Sequence, residues 1–443
     1  MIQWFKKRGT LSFFLVALLV LLIGGAYLRS MPALSAEAET YQNLKKFGEI
    51  LDLIERNYVE EVDPNELLQG AIEGMMKTLD PHSTYMTEEM YRELQVDTRG
   101  VFGGLGIVIS MRNEVITVVA PLEDTPAFKA GIITGDAIVR IDGTDTAGMT
   151  IMEAVQKLRG PKGTDVTISI MRDDFDQPKD FTITRDIIKV QSVKHRVLHD
   201  DIGYIRISSF QENTTDDLKK TLAALRAQET PLRGIILDLR NNPGGLLDQA
   251  VSVSDLFLKT GVIVSTKGRG DKNIEKVYRA RDYGTEPEAP MIVLVNGGSA
   301  SGSEILAGAL RDNNRALLLG TQTFGKGVMQ VIIPLRDGSA VKLTTAKYFT
   351  PSGVSIQAKG LSPDFVVEYR RPDQSPDTER LQLREKDLEG HIRGDYPQED
   401  ESIPNGPGDF YQPDTGEFII DNQMQRAIDL IRSWEMFQKT QKG

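Results

Sequence analysis

Between residues 41 and 79 apolar side chains recur every three or four positions: Leu44, Phe47, Ile50, Leu51, Ile54 and Tyr58, then Leu67, Leu68, Ile72, Met75 and Met76. This spacing predicts two amphipathic helices, with Asp63-Pro64 between them. Such a pair is too small to form a core and is expected to pack on a neighbour or a second copy. From about residue 97 the period shortens to that of strands punctuated by glycine, at Phe102 to Ile109, Val115 to Val119, Ala137 to Ile141, Val166 to Met171 and Phe181 to Thr184, with one helix over Thr150 to Arg159. From about 190 to 370, strands (Ile202 to Ile207, Gly234 to Leu239, Met291 to Val295, Ala316 to Leu319, Val328 to Ile333, Ala340 to Tyr348) alternate with helices near Thr215 to Ala227, Leu247 to Phe257 and Ser303 to Asp312. Alternation of that kind predicts an α/β core. Residues 371–415 are charged and rich in Pro, Gly and Asp, which reads as a solvated linker. Helical periodicity returns over Asp421 to Phe437.

Composition removes whole classes of function. A net charge of −11 argues against nucleic-acid binding, because phosphate contacts need concentrated Lys and Arg, and here they cluster only at the start. With no cysteine the chain has no disulfide framework, no thiol nucleophile and no thiolate metal site. Lys6, Lys7 and Arg8 precede Leu11 to Leu28, a run without a charged residue. Basic residues stay on the cytoplasmic side, so residues 1–30 read as a membrane anchor or export signal that sends the rest across. Small residues from Ala33 to Ala38 leave room for a cleavage site.

Candidate chemistry lies in three glycine-rich segments. The Met291 to Val295 strand runs into Asn296-Gly297-Gly298-Ser299-Ala300-Ser301-Gly302-Ser303-Glu304 and then a helix. Such a turn can present a hydroxyl where backbone N–H groups and the helix dipole favour a developing anion. By itself it is also ordinary helix capping, and three serines compete for the role. Lys326 stands between Gly325 and Gly327, a lysine that burial could turn into a general base. The four histidines, His82, His195, His199 and His391, stand in no nucleophile-elbow context, and no H-E-x-x-H zinc motif occurs. Gly320 to Lys326 fits the first seven positions of a phosphate-binding loop, but Gly327 takes the place of the magnesium-binding hydroxyl. Asp238 to Gly245 ends a strand in a Pro-Gly-Gly turn, able to offer oxyanion N–H groups or to serve as a plain turn.

Together, Leu79-Asp80-Pro81-His82-Ser83, Phe102 to Ile107, Leu237 to Gly245, Ser299 to Glu304, Thr323 to Gly327 and Thr350-Pro351-Ser352-Gly353 resemble, in order, the carboxy-terminal processing peptidases, or tail-specific proteases. The resemblance implies a multidomain α/β (α+β) fold: a crotonase-like peptidase core carrying an inserted PDZ β-sandwich or barrel domain, with helical N- and C-terminal segments. It divides the chain into 1–30 anchor, 40–96 helical dimerisation segment, 97–185 PDZ domain, 186–370 Ser/Lys peptidase core, 371–415 charged linker and 416–443 C-terminal helix. Carried over, the nucleophile is Ser301, its base Lys326 and the lysine-orienting glutamine Gln330, and Asp312 is a structural residue. The oxyanion donors are Gly302, where the family usually has Ala, and Gly244 or Gly245. Gly103, Gly104, Leu105, Gly106 and Ile107 match the PDZ loop that binds a C-terminal carboxylate, and Arg159 is a candidate regulatory relay.

The implied activity is a serine endopeptidase of the bacterial cell envelope, needing no cofactor or metal and facing the periplasm. Expected partners are protein or peptide substrates with accessible C-termini, a second copy in a homodimer, an adaptor protein and the membrane. Two other readings compete: a silent PDZ scaffold if Lys326 cannot reach Ser301, and an acyl-CoA enzyme of the crotonase type, for which no CoA-binding surface is marked.

Overall fold

The computed structural model describes residues 39–112, 114–122, 124–172, 174–269, 276–284, 287–370, 384–394 and 418–441. The expected anchor at 1–30 and most of 371–415 lie outside the described residues. Contacts divide the chain into Met1–Met76 and Lys77–Gly443. The first unit is helical at 39–57 and again from Pro64 to Lys77. Its stripe stays uncovered: Tyr41, Leu44, Phe47, Ile50 and Leu53 are exposed, and the second helix buries no residue.

In the second unit a six-stranded sheet runs in the order Val193–Leu198, Ile202–Ile207, Gly234–Asp238, Met291–Val295, Leu317–Gly320, Phe365–Val366. The first two strands form an antiparallel hairpin and the rest are parallel. Gly234–Asp238 and Met291–Val295 are buried at every position, which is why Gly234 to Leu237 and Met291–Val295 read as unbroken apolar runs. Alternate residues serve opposite faces. Ile235, Leu237, Val293 and Val295 join the core under the helices Thr214–Arg226, Leu247–Asp255 and Gly302–Asp312, whereas Ile236, Ile292 and Leu294 meet Met424, Ala427, Ile428 and Ile431 of the C-terminal helix Asn422–Gln441. A second sheet joins Thr84–Met86, Ala340–Phe349, Val262–Gly268 and Lys276–Arg279, with Val328–Pro334 also paired to Ala340–Phe349.

A separate antiparallel sheet orders Ile107–Arg112, Val115–Pro121, Ala137–Ile141, Asp165–Met171 and Lys179–Thr184 around its own core of Ile116, Val118, Ile138, Ile168 and Ile170. The helix Ile151–Leu158 begins in a Thr150–Glu153 capping box. The chain enters and leaves this region through a two-stranded ribbon, Val101–Gly104 against Asp186–Lys189. The strand expected over Phe102 to Ile109 is therefore two strands. Gly106 breaks it, with φ +77° and a backbone so close to Thr125 that a Cβ would lie 2.3 Å from the Thr125 Cβ.

The C-terminal helix is tied to the core by charge as well as by packing. Arg240, almost wholly buried, donates to Asp238 at 2.9 and 2.7 Å, to Asp421 at 2.8 Å and to Gln423 at 2.7 Å. Despite complete burial, Arg240 holds the Asp238 carboxyl down at about 2. Replacing Arg240 with Met strands that carboxylate without its main counter-charge and is expected to cost about 3–5 kcal/mol in urea unfolding at neutral pH. Because Asp238 is depressed below its unfolded value, its stabilising contribution in the parent is present above about pH 4 and is lost as pH falls toward 2.

Candidate active site

Three serines lie at the end of the Met291–Val295 strand, and their neighbours separate them. Ser299 and Ser303 are fully buried and hold the Asp238-to-Gly245 turn, donating to the Leu239 and Asn242 carbonyls at 2.8 Å each. Ser301 Oγ holds no carbonyl of that turn and is only half-buried. Its backbone has φ +52° and ψ −110° at the N-cap of the Gly302–Asp312 helix. A non-glycine residue there is strained by about 1–3 kcal/mol, and such strain collects at functional sites.

Glu304, one turn into that helix, is fully buried, and four donors converge on its carboxylate. One oxygen accepts Thr323 Oγ1–H at 2.5 Å and Gly325 N–H at 2.8 Å; the other accepts Ser301 N–H at 2.9 Å and Lys326 N–H at 3.0 Å. Sharing one oxygen holds the Ser301 and Lys326 backbone nitrogens within about 6 Å of each other. Burial pushes the Glu304 carboxyl up to about 7, against the pull of these four hydrogen bonds.

Lys326 is half-buried, and burial, assisted by the Lys342 ammonium, lowers its pKa; Glu385, Asp80 and Glu304 pull the other way. Asp80 and His82 of the Leu79-to-Ser83 segment thus border the lysine environment. Asp80 accepts from Ser83 Oγ and from the His82 and Ser83 N–H groups, and His82 Nε2 meets Glu385. Gln330 lies where the pairing of Val328–Pro334 with Ala340–Phe349 slips register, and its Nε2 is buried without a hydrogen-bond partner. Among the described hydrogen bonds none joins Ser301 Oγ to Lys326 Nζ.

Gly244 packs directly against the serine turn, where a Cβ would stand 2.9 Å from Gly302 N and Ser301 Cβ. Its N–H is committed to Asn242 Oδ1 at 2.9 Å, while Gly245 N–H and Gly302 N–H donate to no acceptor among the described residues. Of the two alternatives, the free donor is therefore Gly245. The glycine at 302 also has a local cause, since a Cβ would come within 3.0 Å of the Phe210 ring and 3.3 Å of Ala250 Cβ. Asp312 accepts from Ser352 N–H and Oγ–H at the far end of an 11-residue helix, about 16 Å from Ser301. That leaves it no direct chemistry at the serine.

In the expected tail loop, Gly103 and Gly104 are paired into the entry ribbon, and the Gly103 carbonyl accepts Gly160 N–H at 3.1 Å. Among the described residues, the Leu105 and Gly106 N–H groups donate to no acceptor. Ile107 opens an edge strand whose other side is unpaired among the described residues. Arg159, at the C-cap of Ile151–Leu158, stacks 4.7 Å from the Phe102 ring centroid and pairs with Asp97 at 3.6 Å. The role of Glu304 and the location of Glu385 were not foreseen from sequence. Glu304 stood inside the serine motif, but its partners Thr323, Gly325 and Lys326 lie 19 to 22 positions on.

The chain matches the family models for peptidase family S41 over residues 201–367, for the activating protease CtpB N-terminal domain over 28–90 and for a PDZ domain over 103–184. It is 46% identical over 398 residues to a carboxy-terminal-processing protease of Bartonella bacilliformis, covering 89% of this chain and 90% of that one. A probable CtpA-like serine protease of Staphylococcus epidermidis is 38% identical over 355 residues, with 79% and 71% covered. Among solved structures, a photosystem II D1 C-terminal processing protease is 29% identical over 73% of this chain and 92% of its own, with a TM-score of 0.44.

Proposed function

The chain belongs to the carboxy-terminal-processing proteases of peptidase family S41, serine peptidases with a PDZ domain, and we propose that Ser301 is its nucleophile and Lys326 its general base. The carrying observation is the single Glu304 oxygen that accepts both the Ser301 and the Lys326 N–H, fixing the two loops relative to one another. Neutral Lys326 takes the Ser301 proton as Oγ attacks a peptide carbonyl. The oxyanion is received by Gly302 and Gly245 N–H groups. The Lys326 ammonium then returns its proton to the leaving amine; in deacylation the same lysine takes a proton from the attacking water and returns it to Ser301 Oγ as the acyl group leaves. Gln330 can orient the amine by accepting one of its N–H groups through Oε1, which leaves the nitrogen lone pair for the Ser301 proton.

Substrates are exported proteins with accessible, apolar C-terminal tails. The free N–H groups of Leu105 and Gly106 would receive the carboxylate, and the open edge of Ile107–Arg112 would pair with the tail beside Ile151–Leu158. Tail binding would release Arg159 from Asp97 and Phe102 and complete the dyad. The uncovered stripe at 39–57 suits a second copy in a homodimer, with an adaptor delivering some substrates. Localisation in the cell envelope, facing the periplasm, follows from the expected segment at 1–30; among the described residues no helix is long and apolar enough to cross a membrane. The test is an unstructured reporter ending in apolar residues, assayed with a free and with an amidated C-terminus. Cleavage is expected to slow by about tenfold to a hundredfold on amidation, the worth of a charge-assisted hydrogen bond. Equal rates would remove carboxylate recognition.

A further inference from the structure

Lys326 lies between two glycines, so its own backbone does little to fix where its amine points. Glu304 holds it from one side. From the other it is reached by residues 384–394, inside the span expected to be a solvated linker, and there the structure departs from the expectation. Glu385 is completely buried although its neighbours Lys386, Asp387 and Glu389 are exposed. A carboxylate withdrawn from water needs donors, and Glu385 has them from distant parts of the chain: His82 Nε2 at 2.6 and 2.8 Å and Gln357 Nε2 at 2.9 Å.

These contacts close around the lysine loop. Glu385 N–H donates to the carbonyl of Phe324, two residues before Lys326, at 3.3 Å. Gln357, itself held by Glu385, accepts the N–H of Gly327, the next residue after Lys326, at 2.8 Å. Gln357 Nε2 also donates to the Ile392 carbonyl at 2.9 Å. Arg384 reaches Gln322 at 3.2 Å, and Lys347, opposite Val328 in the sheet, donates to the Arg393 carbonyl at 3.0 Å. The segment therefore grips the loop ahead of the lysine and behind it.

We propose that residues 384–394 form a strap that holds the Lys326 loop in register with Ser301, with Glu385 as its positioning residue. The inference rests on the Ser301–Lys326 reading and extends it to a part of the chain outside the matched peptidase span of 201–367. Glu385 acts through the loop and through charge. The charged groups facing Lys326 are Lys342 from the Ala340–Phe349 strand, Asp80 from the segment before Thr84, Glu304 from the nucleophile helix and Glu385 from the strap, and Glu385 itself also faces His82. Its carboxylate favours the ammonium form of Lys326, so removing that charge lowers the lysine pKa and makes the free amine available at lower pH.

The experiment compares the full chain with Glu385→Ala, Glu385→Gln and Lys326→Ala, recording kcat, KM, melting temperature and the pH profile of kcat/KM on one tailed reporter. Glu385→Ala opens the grip and is expected to lower kcat by about a hundredfold, the scale of a 1 Å misplacement of a catalytic group. Glu385→Gln can still accept from Gln357 and donate to His82. It is expected to regain most of that kcat and to shift the acid limb of the profile to lower pH. Protonation of Glu304 contributes to the same limb in every variant, so the shift belongs to the Glu385 charge. An unmoved limb in Glu385→Gln together with undiminished kcat in a folded Glu385→Ala would overturn the strap. Should Glu385→Ala lose its cooperative melting, the Glu385→Gln profile decides alone. Normal cleavage by Lys326→Ala would instead overturn the dyad on which the strap depends.

Discussion

Lys326→Ala is expected to lose about 10³–10⁴-fold in kcat while KM and melting temperature hardly change. The size follows from the proposed role: without a base the Ser301 hydroxyl would remain a weak nucleophile, whereas the proposed oxyanion donors and tail contacts would survive. The stability half of the prediction follows from the direction of the pKa shift. Burial and the Lys342 ammonium lower the Lys326 pKa below its unfolded value, so the folded state binds that proton more weakly. Below the unfolded pKa, keeping Lys326 in place therefore disfavours folding, and an apolar replacement at 326 gains stability or leaves it level. A mutant inactive because it unfolds would behave in the opposite way. Activity should rise with pH as Lys326 loses its proton, and Lys342→Met, which removes a repelling charge and so raises the Lys326 pKa, should move that rise to higher pH. Steady-state kinetics across pH, paired with thermal melts, checks both statements.

The second large effect is expected at Glu304. Glu304→Ala deprives four donors of their acceptor at once, and each buried orphan costs about 1–3 kcal/mol, though not additively. A loss of about 3–5 kcal/mol in urea unfolding is expected. The loss in kcat should be about 10²–10³-fold, because serine and lysine loops no longer share a fixed point. Glu304→Gln separates the two effects. It preserves volume and one acceptor oxygen but turns an N–H₂ toward two of the donors, so activity should fall further than stability. The parent has its own pH signature here. With the Glu304 carboxyl pushed up to about 7, lowering the pH through that value protonates it and costs one loop its acceptor; Glu304→Gln should lose this component of the acid limb.

The sheet was legible because its central strands are covered on both faces, and burial of that kind leaves no polar position to disguise the run from Gly234 to Leu237 or over Met291–Val295. The strand expected over Phe102 to Ile109 was misread at one point, where the break depends on Thr125, a contact that no local pattern encodes. The three serines of the turn are chemically identical in sequence, and only a family resemblance chose among them. Geometry separates them because Ser299 and Ser303 are occupied by carbonyls of another loop. Glu385 was hidden for a stronger reason. Charged composition at 384–394 signals a solvated segment, and the donors that make burial tolerable arrive from His82, 303 positions earlier, and from Gln357.

The most direct test of the Ser301–Lys326 assignment is labelling with a fluorophosphonate, followed by mass-spectrometric mapping of the adduct across pH in the parent and in Lys326→Ala. A single adduct on Ser301, formed faster as pH rises in the parent and at least about a hundredfold slower in Lys326→Ala, is the predicted result. An adduct on Ser299 or Ser303, or labelling of Ser301 at the same rate in both proteins, would contradict it.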